Sequence, residues 1–434
     1  MKYKSGLYSR LFTFAKNGAG DYHALMLRFN ETFFKRLRVP RRVYLDHAAA
    51  TPLDARVVRR MRKFETTQFA NPSSIHTEGV GARREIEIAR KQIAEHLGAH
   101  TDEVIFTGSG TESNAFALRG VVDAYRKEHP GVIPVVAVSS VEHSSVRSTL
   151  AGLEAEGAVR VVEIPVDEGG VVNLKMLKEA LTDEVVLVSI MYANNEIGTT
   201  EPIREIMKLV RHHRKETGGV YPYVHTDACQ ATQFLDINVG RLGVDLMTLN
   251  AAKIYGPKGI GALFVRRGVA LGALIPGEQE RGLRGGTENG VGIVGFAEAL
   301  VRARTGADKE SIRLTKLTDR LENMLRAKIL GVVINRHPTL RLPHILHFSV
   351  PGFTHDFLAL ALDAKGFAVS TGSACTSADS YDSRGILALG KEGITGGVRV
   401  SLGKGTTARD MDAFVKALLS IIERNAQFQF KSDL

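Results

Sequence analysis

Two polar residues close apolar runs in this chain in a way that suggests chemistry. The stretch Val244-Asp245-Leu246-Met247-Thr248-Leu249-Asn250-Ala251-Ala252-Lys253 reads as a strand ending in a lysine, and a tight Gly256-Pro257 turn follows. A lysine on a solvated helix face keeps its charge at no cost. One delivered to the end of a buried strand is an amine held for reaction, because partial desolvation lowers its pKa toward the nucleophilic form. Upstream, Tyr223-Val224-His225-Thr226-Asp227 ends another apolar strand in a carboxylate. Taken singly, Asp227 reads as a helix cap and Lys253 as a surface charge. Together they are the pair that a pyridoxal 5'-phosphate site requires. The lysine carries the cofactor as a Schiff base, and the aspartate keeps the pyridine nitrogen protonated so that the ring withdraws electrons.

The flanking pattern supplies elements to position them. Arg83–Leu97 reads as a helix with Ile86, Ala89, Ile93 and Leu97 on one face and Gly98 as its stop. Val104-Ile105-Phe106 is a strand, and the turn Thr107-Gly108-Ser109-Gly110-Thr111 leads from it into a helix through Arg126. Val135–Val138, Val159–Ile164 and Val186–Ile190 are further strands, and Ile203, Ile206, Met207 and Val210 mark the helix before Asp227. Val/Ile-rich strands separated by helices predict a mainly parallel sheet buried on both faces. After about residue 300 come a charged helix (Lys309–Leu330), short strands (Ile345–Val350, Phe367–Ser370, Val398–Leu402) and a last helix (Ala408–Asn425). The expected organisation is an N-terminal extension (1–42), a large α/β domain (58–300) and a smaller α+β domain from 43–57 and 301–434.

Composition narrows the class. At 434 residues, 44% hydrophobic and 24% charged, the chain is that of a soluble globular protein with a large core. No stretch approaches the roughly 18 consecutive apolar residues of a membrane span. Two cysteines are too few for a disulfide framework and suit a reducing compartment. The net charge of +10 is local: ten of the 57 basic residues but only two of the 47 acidic ones lie in residues 1–42. The body is near balance, which gives no reason to expect nucleic acid. The extension has the basic, acid-poor bias of organelle transit peptides, with a solvated or membrane-grazing arm as the other reading. A cytoplasmic location is expected, with a mitochondrial one as the alternative.

Several further motifs stand in order along the chain. They are Tyr44-Leu45-Asp46-His47, Asn71-Pro72-Ser73-Ser74, Thr107–Asn114, Glu142-His143, Asn194-Asn195-Glu196, Asp227-Ala228-Cys229-Gln230, Lys253–Gly259, Arg281–Asn289 and Gly372-Ser373-Ala374-Cys375-Thr376-Ser377. Jointly they resemble the cysteine desulfurases of the nitrogen-fixation and iron–sulfur-cluster type, within the class V aminotransferase family. The resemblance covers about residues 43–425. It implies the fold type I of pyridoxal phosphate enzymes: an α/β protein whose large domain has a mainly parallel seven-stranded sheet, with a smaller α+β domain.

Within this series of motifs the glycine-rich turn before the helix is implied to be a phosphate cup, with the backbone of Gly110 and Thr111, the Thr111 hydroxyl and the helix dipole expected to face the anion. By resemblance, Thr287 reaches the phosphate of a partner subunit, so that a homodimer shares its sites. His143 is implied to lie over the cofactor ring, where it can stack and move protons near neutral pH. Asn195 and Gln230 are implied to bond the substrate side of the cofactor and its phenolic oxygen, and an ordinary loop role is their alternative. Arg399, between apolar strand residues, offers a fork for a substrate α-carboxylate, with a structural ion pair as the other reading. Cys375 lies on a small, polar loop that suits an exposed, reactive carrier thiol. Cys229 reads as packing. No metal ligands are expected.

Two positions depart from the family pattern. Asn250 and Ala252 stand where the family usually has Ser or Thr and His. Asn250 keeps an amide donor for phosphate, whereas Ala252 supplies none, a loss of about 1.5–3 kcal/mol for one charge-assisted hydrogen bond. The implied activity is conversion of L-cysteine to L-alanine and an enzyme persulfide, passed to an iron–sulfur scaffold or sulfur-carrier protein for cluster assembly or tRNA thiolation. A selenocysteine lyase and a degenerate, non-catalytic scaffold are the alternatives.

Overall fold

Seven strands set the frame of the molecule. The computed structural model describes residues 42–371, 389 and 397–432, with side chains of the last helix through residue 424. In chain order the strands are β1 (Val43–Tyr44), β2 (Val104–Thr107), β3 (Val135–Ser139), β4 (Arg160–Ile164), β5 (Val185–Ser189), β6 (Tyr223–Asp227), β7 (Leu246–Asn250), β8 (Gly261–Val265), β9 (Val333–Ile334), β10 (Ile345–Ser349), β11 (Phe367–Ala368) and β12 (Gly397–Ser401). The central sheet has the order β2-β8-β7-β6-β5-β3-β4. Strands β3 to β7 pair in parallel, and β8 runs antiparallel to both of its neighbours. The expected seven-stranded, mainly parallel α/β sheet is therefore present. Sequence reading passed over β8, a short apolar run that a helix could equally have claimed.

Both faces of this sheet are covered. On β3, Val136 and Val138 join one apolar cluster with Phe116, Leu118, Val146 and Leu150, whereas Val135 and Ala137 join another with Ile86, Ile93, Phe296 and Leu300. This period-two division is what a strand buried on both faces requires. Each large side chain so buried contributes about 1.5–3 kcal/mol. The helices Gly110–Glu128 and Ser144–Ala155 cover the first face; Thr77–Leu97 and Gly290–Thr305 cover the second.

Residues 43–434 form one compact unit. Within it a separate cluster joins Leu45 to Leu314, Leu321, Phe348, Leu358, Val400 and Phe414. It lies on the sheet β12-β10-β9 and the helices Ala307–Lys328, His355–Ala364 and Ala408–Ser432. Helix ends differ from expectation by a few residues. Thr77–Leu97 starts six residues before Arg83 because the His76 imidazole accepts the N–H of Gly79, a cap that histidine seldom provides. Its stop is as expected: Gly98 takes φ 63°, left-handed backbone that glycine adopts at no steric cost.

Candidate active site

The carboxyl ends of β2, β3, β6 and β7 bring the chemistry-bearing residues to one edge of the sheet, where ligands bind in open α/β folds. Strand β7 ends at Asn250, and one 3-10 turn, Ala251–Lys253, follows. Lys253 is thus displaced by a turn from the strand end that the sequence suggested. The cause is local: Asn250 Oδ1 accepts the Ala252 N–H at 3.0 Å and starts the turn. Lys253 Nζ donates to the carbonyls of Ala49 at 2.6 Å and Ala48 at 3.1 Å. Burial holds this amine below the usual lysine range, while nearby negative charge, including that of Asp227, opposes the shift.

The segment carrying those carbonyls is laced to the lysine turn. Thr51 Oγ1 donates to the Ala252 carbonyl at 2.9 Å and accepts the N–H of Tyr255 at 2.7 Å. Lys258 Nζ donates to the Thr51 carbonyl at 2.6 Å. These bonds hold Tyr255 at φ 64°, a conformation that a bulky residue keeps only under external constraint.

Asp227, buried at the end of β6, accepts at both oxygens. Oδ1 takes the N–H of Cys229 at 2.9 Å, and Oδ2 takes Asn114 Nδ2 at 2.7 Å. Asn114 belongs to the helix Gly110–Glu128, whose cap is Ser109 Oγ accepting the N–H of Glu112 at 3.1 Å. A Cβ at Gly110 would stand 2.8 Å from Cys229 Sγ and 3.2 Å from Asn250 Nδ2. Only glycine lets this helix end approach the lysine turn so closely. The N–H groups of Gly110 and Thr111 belong to the first turn, which leaves donors without intrahelical partners.

His143 caps the helix Ser144–Ala155, its Nδ1 accepting the N–H of Ser145 at 3.1 Å. Burial lowers its pKa, with Asp227 opposing and Lys253 reinforcing the shift. Arg399, on β12, places Nη2 on Asp46 Oδ1 at 2.7 Å and Nη1 on the Asn195 carbonyl at 2.8 Å. Its buried Nε has no hydrogen-bond partner among the described residues. The ion pair and a fork with donors to spare therefore coexist in one side chain.

These groups line one cavity of about 320 Å³: Gly110, Thr111, His143, Asn195, Asp227, Gln230, Asn250, Lys253 and Arg399 all border it. Gln230 spends an N–H on the Ala48 carbonyl at 2.8 Å. Cys229 also borders the cavity, buried, and burial with Asp227 beside it pushes its thiol well up, so it stays protonated. Thr287 is not brought there; it borders a second cavity of about 250 Å³ with Gly108 and Arg284. Cys375 lies outside the described residues. Sequence reading missed Asn114, Ser145 and Asp46. Asn114 and Asp46 sit inside recognised motifs and Ser145 lies two residues beyond one, yet their contacts reach 31 to 353 positions away.

An amine whose pKa burial lowers, a buried carboxylate and a forked cation facing one cavity can bind an amino acid by its carboxylate and remove its α-proton. Comparison with known proteins agrees in extent. The family described as aminotransferase class-V matches residues 43–414. The chain belongs to that family. Its relatives include the cysteine desulfurase IscS of Dictyoglomus turgidum, 41% identical over 88% of this chain and 95% of that protein. A solved structure titled NifS-like protein superposes with a TM-score of 0.80 at 33% identity, covering 88% of this chain and 99% of that one. Another, SspA in complex with cysteine, gives 0.71 at 31% identity over 83% and 98%. The fold shared by these class-V aminotransferase relatives is the α/β fold described above.

Proposed function

We propose that this protein is a pyridoxal 5'-phosphate-dependent cysteine desulfurase that converts L-cysteine to L-alanine and leaves the sulfur on the enzyme. The observation that carries the reading is the convergence of the Lys253 amine, the Asp227 carboxylate and the Arg399 guanidinium on one cavity. It occurs in a chain that aligns with IscS-type cysteine desulfurases over nearly their whole length.

The residues present fit the cofactor. Gly110 and Thr111 offer first-turn donors to its phosphate, and the buried Asn114 Oδ1 has no partner among the described residues. Asn250 Nδ2, beside Gly110, is the remaining amide donor there. When bound, the cofactor supplies an electron sink for the substrate α-carbon.

The chain's own groups then divide the work. Arg399 orients the α-carboxylate with the donors not given to Asp46 and Asn195. Burial keeps Lys253 toward the neutral amine, so Nζ is the base for the α-proton, and the carbonyls of Ala48 and Ala49 receive its N–H groups. Asp227, oriented by the bonds from Asn114 and Cys229, is the carboxylate that would keep the ring nitrogen of the bound cofactor protonated. Sulfur transfer is assigned to Cys375. Its thiolate attacks the substrate sulfur, and the carbon–sulfur bond breaks with its electron pair left on carbon. That carbon takes a proton, L-alanine leaves and the persulfide stays.

A homodimer sharing Thr287 between sites accords with exposed Phe69 and Ile75, at 77% and 95%, flanking the Asn71–Ser74 motif. An iron–sulfur scaffold or sulfur-carrier protein is the acceptor class we favour. The decisive test is an assay for alanine and sulfide from L-cysteine with a thiol reductant. Equimolar release supports the reading, and absence of both products from cofactor-loaded protein refutes it.

A further inference from the structure

His143 and Asp227 are joined by an unbroken line of hydrogen bonds. Asp227 Oδ2 accepts from Asn114 Nδ2 at 2.7 Å, and the same nitrogen donates to Ser145 Oγ at 2.9 Å. Ser145 Oγ lies 2.8 Å from His143 Nδ1, which also receives the N–H of Ser145 at 3.1 Å.

The direction of every bond follows from its two fixed ends. An ionised carboxylate only accepts, so Asn114 must turn Nδ2 toward it, which leaves Oδ1 unpartnered. The second Nδ2 hydrogen goes to Ser145 Oγ, and the serine hydroxyl hydrogen is then available for His143 Nδ1. The backbone N–H of Ser145 is likewise only a donor. Two donors on one ring nitrogen require a lone pair there, so the ring hydrogen resides on Nε2.

We propose that Asn114 and Ser145 are positioning residues that lock His143 as its Nε2–H tautomer. The ring then presents a hydrogen-bond donor to the cavity and cannot take a proton from bound substrate at Nε2. Base chemistry falls to Lys253. Protonation of His143 has only Nδ1 as its site, and it would break the cap on the helix Ser144–Ala155. Burial opposes that charge as well, against Asp227 and Glu196 and together with Lys253 and Arg147. The inference rests on the reading of His143 as a group facing the cofactor, but its test needs no turnover.

The full-length protein labelled with ¹⁵N-histidine, with and without pyridoxal phosphate and with no substrate, reports each ring tautomer by NMR. The His143 signals are identified as those lost in His143→Gln. The expected pattern is a protonated Nε2 and an unprotonated Nδ1. The Ser145 N–H still favours Nε2–H in Ser145→Ala and Asn114→Ala, but the hydroxyl donor is lost in one and freed to turn in the other. Each should therefore raise the minor Nδ1–H tautomer and move the His143 midpoint to higher pH, and Ser145→Thr should restore the parent pattern. A protonated Nδ1 in the parent protein overturns the proposal without recourse to any variant. Unchanged His143 signals in folded Ser145→Ala and Asn114→Ala overturn it equally. Since no L-cysteine is present, failure of the desulfurase reading is a separate result.

Discussion

Lys253 and Ala49 are 204 positions apart, yet Lys253 Nζ donates to the Ala49 carbonyl oxygen at 2.6 Å. The acceptor is main chain, no carboxylate among the described residues pairs with the amine directly, and burial lowers its pKa toward the reactive form. Lys253→Ala should therefore prevent covalent fixation of pyridoxal phosphate by borohydride and abolish turnover. Mapping the label by peptide mass spectrometry checks the assignment. Label on Lys258, whose Nζ is held by the Thr51 carbonyl, would overturn it.

Arg399 keeps two hydrogen bonds within the protein and still borders the cavity. Arg399→Lys retains a charge but loses the planar fork. Charge-assisted hydrogen bonds contribute about 1.5–3 kcal/mol each, so kcat/KM for L-cysteine should fall roughly 10- to 150-fold. Steady-state kinetics measure this, and an unchanged ratio would leave Arg399 a purely structural ion pair.

Ala252 offers no ring donor in the lysine turn, while Asn250 is tied by Oδ1 to that turn. Cofactor should leave the purified protein on dialysis, and Ala252→His should slow that loss. Asn250→Ala should accelerate it and lower stability by about 1 kcal/mol, the usual cost of a lost cap. Residual cofactor absorbance after dialysis gives the order; equal retention by all three proteins contradicts it.

Glu142 is buried, with Oε1 accepting Ser139 Oγ and the Met191 N–H while Oε2 has no partner among the described residues. Burial, then Asp227 and Glu201, push its pKa from 4.5 up to about 8. Between those values the unfolded chain has lost this proton and the folded protein retains it, so stability falls as pH rises across that window. Glu142→Gln keeps the Oε1 acceptor and should flatten part of the decline of Tm with pH. Glu201, also pushed up to about 8, accounts for a further part. A slope identical to the parent's argues that Glu142 is ionised in the fold.

The two cysteines should separate sulfur chemistry from cofactor binding. Cys375→Ser should still bind pyridoxal phosphate and L-cysteine but release no sulfide, because a hydroxyl cannot hold sulfur as a persulfide. Cys229→Ala should stay active, at a cost of about 1 kcal/mol for a small cavity. After L-cysteine treatment, mass spectrometry should find the added sulfur on the Cys375 peptide; sulfur on Cys229 would sink this division.

Much of this protein is local in origin and therefore legible in its sequence. Val/Ile runs such as β3 and β5 declare buried parallel strands because both faces must be apolar, and Gly98 declares a helix end because left-handed backbone excludes most side chains. Asp227 and Lys253 stood out because each breaks an apolar run with a charge. Tertiary structure alone decided how they are held. Asp46 reaches Arg399, Asn114 reaches both Asp227 and Ser145, and the Ala48–Ala49 carbonyls reach Lys253, all across long stretches of chain. No periodicity encodes such contacts. They follow from which strand ends meet at one sheet edge, and from the cost of leaving buried polar groups there unpaired. The tautomer of His143 belongs to this second kind: its sequence neighbours name the donor in Ser145, but the orientation comes from Asn114, locked by a carboxylate on another strand.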